Sequence, residues 1–142
     1  SIGVLDFQDA VRGPITYDLV SLIRDCYISW PGEKEEQWIT SYMQLAQQHA
    51  LLSDVDYPQF KRWFDWMGLQ RQIKCVGIFS RLYLRDGKPG YLRDIPRTFS
   101  YLKGVCASCA EFSEFNQWLD EIVVPAMHRC ELLVNAGERS RT

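Results

Sequence analysis

The sequence predicts a mainly α-helical domain that opens with a short extended segment at residues 2–7. Three observations predict it. Apolar residues recur at three- and four-residue steps along most of the chain, Pro and Gly punctuate at helix-length intervals, and only the apolar run from Ile2 to Phe7 reads as a strand. With 142 residues, 46% hydrophobic and 13% aromatic, the chain can bury the core of a single domain, here taken as residues 1–142 with a frayed polar tail at 137–142.

The elements follow in order. Gly13-Pro14 punctuates, Thr16 can cap, and Leu19, Leu22, Ile23, Cys26 and Tyr27 mark one amphipathic helix that Trp30-Pro31-Gly32 stops. A second helix runs from about Glu33 to Ala50, acidic in its first turn as the macrodipole prefers, with Ile39, Tyr42, Met43 and Ala46 facing inward. Asp56 before Pro58 opens the longest helix, which continues to about Leu84 and is apolar on several sides, as a central helix must be. Asp86-Gly87-Lys88-Pro89-Gly90 is a turn, and Asp94 before Pro96 caps a helix through about Lys103. The last helix runs from about Ser113 to Leu133, bent where Pro125 removes a backbone donor.

Charge and cysteine usage narrow the function classes. Sixteen basic and 18 acidic residues leave a net charge of −2, so no global field steers the chain towards nucleic acid or a membrane. Cys26, Cys75, Cys106, Cys109 and Cys130 are odd in number and sit mostly in apolar helical patterns, which points to a reducing cytoplasm. No apolar run approaches the ~20 residues that span a bilayer, and no basic-then-apolar signal opens the chain.

The residues alone leave three chemistries open. Asp6, Gln8 and Asp9 end the apolar run, where rigidly held carboxylates suit a hard cation and its phosphate ligands, although acidic residues there also simply cap a turn. Arg71, Lys74, Arg81 and Arg85, with Gln70 beside them and Ile78 between, form a stripe on the central helix that fits an anionic group or, equally, a solvated face. Cys106, Cys109, His128 and Cys130 have zinc-ligand chemistry, but a histidine and a cysteine two apart on a helix point in different directions.

A resemblance decides among them. Leu5-Asp6-Phe7-Gln8-Asp9-Ala10, Gly13-Pro14 and Tyr17-Asp18-Leu19-Val20-Ser21-Leu22-Ile23-Arg24-Asp25 resemble the metal-binding segment of the aminoglycoside-phosphotransferase and choline-kinase-like superfamily. Gly68-Leu69-Gln70-Arg71-Gln72-Ile73-Lys74, Gly77-Ile78-Phe79-Ser80-Arg81-Leu82 and Arg85 to Leu92 resemble its narrower branch of cytosolic sugar kinases, which phosphorylate N-acetylmuramate and N-acetylglucosamine at the anomeric hydroxyl during cell-wall recycling. Together these motifs span roughly residues 2–103.

The resemblance implies the helical C-terminal lobe of a protein-kinase-like fold, with ATP as co-substrate and Mg2+ as cofactor. Asp6 would hold the metal against the nucleotide phosphates, and Asp18 would fasten the catalytic loop. Gln8, Asp9, Gln70, Arg71, Lys74 and Arg81 would face the acceptor sugar. The superfamily places a nucleotide-binding lobe and a His-x-Asp catalytic loop before this segment, so the general base is expected upstream and the chain alone is expected to be inactive. Alternatives are a kinase of the same superfamily for an aminoglycoside, choline-like or other alcohol acceptor, and a non-catalytic helical interaction domain. A fragment also leaves the segment at residues 2–7 without strand partners, a route to self-association.

Overall fold

The computed structural model describes residues 11–130. Among them the chain is helical and contains no strand. The extended segment at 2–7 and the tail at 137–142 lie outside the described residues.

Helix α1 is Tyr17–Ile23, shorter than its apolar spacing predicts. The reason lies at Asp25, whose Oδ1 accepts the backbone N–H of Tyr27 at 3.2 Å and offers the chain a local turn in place of another helical turn. Leu19, Val20 and Ile23 are buried, whereas Leu22 and Tyr27, expected to face inward, are exposed. Helix α2, Gly32–Gln48, buries Ile39, Met43 and Ala46 as expected, and Tyr42 donates its hydroxyl to the Ile15 carbonyl at 3.2 Å. It ends on Ala50 with φ +55°, and the Leu51 N–H closes onto the Ala46 carbonyl at 2.9 Å.

Helix α3, Tyr57–Asp86, is the axis of the structure, ~45 Å long at the usual rise per residue. Asp56 caps it by accepting the Gln59 N–H at 2.9 Å. Gly87, at φ +63°, ends it, with its own N–H on Tyr83 and that of Lys88 on Leu82. Along its length α3 serves three apolar clusters in turn. Phe60 and Phe64 pack with α1 and α2, Leu69 packs with the C-terminal helices, and Phe79 packs with Leu92 and Ile95.

A 3-10 turn at Pro89–Asp94 leads into α4, Ile95–Ser108. This helix runs past Lys103 because Val105 and Cys106 extend its buried face against Leu119. Beyond it come a 3-10 turn at Ala110–Phe112, α5 at Ser113–Trp118 and α6 at Val124–Arg129. Between α5 and α6, Leu119–Val123 forms a π turn. Pro125 follows that turn, and the wider ring accommodates a residue that lacks an N–H and crowds the preceding carbonyls.

Candidate functional site

At about 100° per residue, the buried positions Gly68, Leu69, Gln72 and Phe79 occupy one side of α3, and Gln70, Arg71, Lys74, Arg81 and Arg85 occupy the other. Gln70, Lys74, Arg81 and Arg85 are exposed, and Arg71 is half-buried. Arg71 differs because α1 reaches it. Its guanidinium carbon lies 5.7 Å from the Tyr17 ring centroid, and Nη1 lies 3.5 Å from the Tyr17 hydroxyl. That contact brings Arg71 to the first turn of α1, where exposed Asp18 is the next residue. Arg85 instead bonds Asp86 at 2.6 Å, which holds the Asp86 carboxyl below its usual range.

The stripe does not converge on one point. Lys74 is about 4.5 Å and Arg81 about 15 Å along the axis from Arg71, so a single sugar ring touching Arg71 does not also span to the Arg81 backbone. Asp6, Gln8 and Asp9 lie outside the described residues.

A second charged cluster was not singled out from the sequence. Arg24, just past α1, bonds Glu35 of α2 through Nε at 2.8 Å and through Nη2, and Nη1 lies 2.8 Å from Asp65 Oδ1 of α3. Its guanidinium also covers the Phe64 ring at 4.7 Å, and Lys61 reaches both Asp65 oxygens at 2.7 Å. Burial pulls the Arg24 pKa down, but the bond from Glu35 and the charges of Glu35 and Asp65 outweigh it and leave the group above its ordinary value. Two cations and two carboxylates cancel, so this cluster ties three helices together. With Ser100, Tyr101 and Ser108 it lines a cleft of ≈ 180 Å³. The available signal was Asp65, a carboxylate inside the apolar run Phe64-Asp65-Trp66-Met67.

The zinc candidates do not assemble. Among the described residues no three His, Cys, Asp or Glu side chains gather as a ligand set, and Cys106 is packed in the core against α4's neighbours. All five cysteines are free thiols. Cys26 is pushed up to about 12 by burial, reinforced by Asp25.

Comparison with known proteins places these features. Residues 1–63 match the model of the phosphotransferase enzyme family, a stretch that contains Asp6, Gln8, Asp9, Asp18, Arg24 and Glu35. The chain is 47% identical over 121 residues to the N-acetylmuramate/N-acetylglucosamine kinase of Neisseria meningitidis, covering 85% of this chain and 36% of that protein. It is 44% identical over 120 residues to the protein of that name from Pseudomonas putida, covering 84% and 35%. A third, from Caulobacter vibrioides, is 34% identical over 122 residues, covering 86% and 32%. The chain spans about a third of the length of the curated relatives it matches. With a family match that takes in the Asp6 motif and identities that extend through α4, the chain is similar to members of the phosphotransferase enzyme family along most of its length.

Proposed function

We propose that this chain is the helical C-terminal part of an ATP-dependent phosphotransferase that acts on the anomeric hydroxyl of N-acetylmuramate or N-acetylglucosamine. The observation that carries the reading is the 44–47% identity, over more than four-fifths of the chain, to kinases named for those two sugars. In this reading residues 1–142 form one helical domain, and the nucleotide pocket and general base come from the portion the relatives have beyond it.

Asp6 would supply the carboxylate oxygen that a hard cation such as Mg2+ takes, and the bound ion would neutralise charge on the nucleotide phosphates. Asp18 would hold the catalytic loop in place. Gln8, Asp9, Gln70, Arg71 and Lys74 would contribute to the acceptor wall, with Arg81 at its far end. N-acetylmuramate carries a carboxylate, and Arg71 offers it a guanidinium fork already steadied by Tyr17.

The test is ATP-dependent phosphorylation by the full-length protein of N-acetylmuramate, N-acetylglucosamine, choline and an aminoglycoside. Turnover of one or both amino sugars, with the phosphate on the anomeric oxygen, is expected. Turnover of only choline or the aminoglycoside would move the chain to another acceptor class of the family.

A further inference from the structure

Pro14, Ile15 and Thr16 on one side, and Trp63, Trp66 and Met67 on the other, enclose an open groove of ≈ 420 Å³. None of the six is charged. Trp63 and Trp66 stay 41% and 40% exposed, although they lie on the helix that organises all three apolar clusters. Trp66 is already held in place, with Phe112 edge-on at 5.4 Å and the Arg62 guanidinium over its ring at 4.7 Å. Beneath the rim, the Thr16 hydroxyl is buried without a hydrogen-bond partner among the described residues.

We propose that this groove is an internal interface, filled by a convex apolar segment from the portion of the longer polypeptide that the relatives have and this chain does not span. The inference rests on the reading above that the chain is one part of such a polypeptide. Two observations choose this occupant. The chain covers only 32–36% of its relatives, so most of their length is available to cover it. The family match over residues 1–63 takes in both the Pro14 wall and Trp63, so the groove is built largely from the matched segment. A second copy fits less well. Two concave grooves apposed about a two-fold axis leave both hollow, whereas the apolar edge of a helix fills one.

The test is hydroxyl-radical footprinting of the full-length protein, with oxidation at each tryptophan read by peptide mass spectrometry. Trp118, 50% exposed and remote in sequence from the groove, is the internal reference. About tenfold slower oxidation of Trp63 and Trp66 than of Trp118, unchanged on dilution, is expected. A ratio below threefold would overturn the proposal, and so would protection that disappears on dilution, which would assign the groove to a second copy. The readout needs no catalysis, so it stands whether or not the protein phosphorylates an amino sugar.

Discussion

A Cβ built on Gly68 would come 3.3 Å from Arg24 Nη1, so the bare α-carbon of α3 seats the buried cation that follows α1. The guanidinium has little room to retreat, because Glu35 holds Nε and Nη2 and Asp65 faces Nη1. The glycine is thus explained by close approach within a regular helix rather than by an unusual backbone angle.

Removing the cation leaves two buried carboxylates without their shared partner. Arg24→Ala is expected to cost about 3–5 kcal/mol, measured by urea unfolding of the full-length protein. In that background Gly68→Ala should stabilise by about 1 kcal/mol, the ordinary helix-propensity gain. With Arg24 present, the displaced guanidinium should cancel that gain. Equal effects in both backgrounds would remove the coupling between the two residues.

These residues show what the sequence disclosed and what it withheld. Helices α2 and α3 were legible because their information is local: the Ile39, Met43, Ala46 spacing, the Asp56-x-Pro58 cap and the Gly87 stop all lie within a turn or two of what they specify. The end of α1 was not, since the Asp25 side chain competes for the Tyr27 N–H and periodicity ignores such competition. Leu22, predicted inward, is exposed for the related reason that the short helix turns Leu19, Val20 and Ile23 to the core. The Arg24 cluster joins positions 24, 35, 61 and 65 from three elements, and only packing brings them together. Of the candidate site, the sequence placed the α3 stripe on one face, while the Tyr17 contact that distinguishes Arg71 needed the tertiary structure.

The C-terminus of α2 carries a removable penalty. Ala50 adopts φ +55°, a left-handed conformation that costs an L-residue with a Cβ about 1–2 kcal/mol. Ala50→Gly should relieve part of it, raising stability by about 0.5–1 kcal/mol in the same unfolding measurement after the glycine's greater unfolded-state entropy is offset. A loss of stability would contradict the observed cap.

Cys26 should behave as an inert thiol. A shift from 9.0 to about 12 reduces its thiolate fraction near pH 8 by about a thousandfold. Iodoacetamide should therefore modify Cys26 far more slowly than a thiol of ordinary pKa, with a rate that climbs until about pH 12. The folded-state value is raised, so its contribution to stability is complete below pH 9.0 and is lost as the pH rises through about 12. Rapid labelling at pH 8, read by mass spectrometry, would show that the half-buried Cys26 thiol is not held protonated by its surroundings.

Under the proposed function, Arg71 should distinguish the two amino sugars. Loss of a charge-assisted bond to a carboxylate is worth about 1.5–3 kcal/mol, so Arg71→Ala in the full-length protein should raise KM for N-acetylmuramate by about 10- to 150-fold. The change for N-acetylglucosamine, which lacks the carboxylate, should stay under about threefold by the same reasoning. Equal changes for both sugars would take Arg71 away from the carboxylate.

The proposed role of Asp6 as the metal carboxylate of an amino-sugar kinase can be read by comparing wild type with Asp6→Asn in the full-length protein, using ATP, Mg2+ and each amino sugar. Anomeric phosphorylation by the wild type and a fall in kcat of about a hundredfold or more in the variant, with the protein still folded, are expected. A fully active variant, or a wild type that phosphorylates neither sugar, would contradict it.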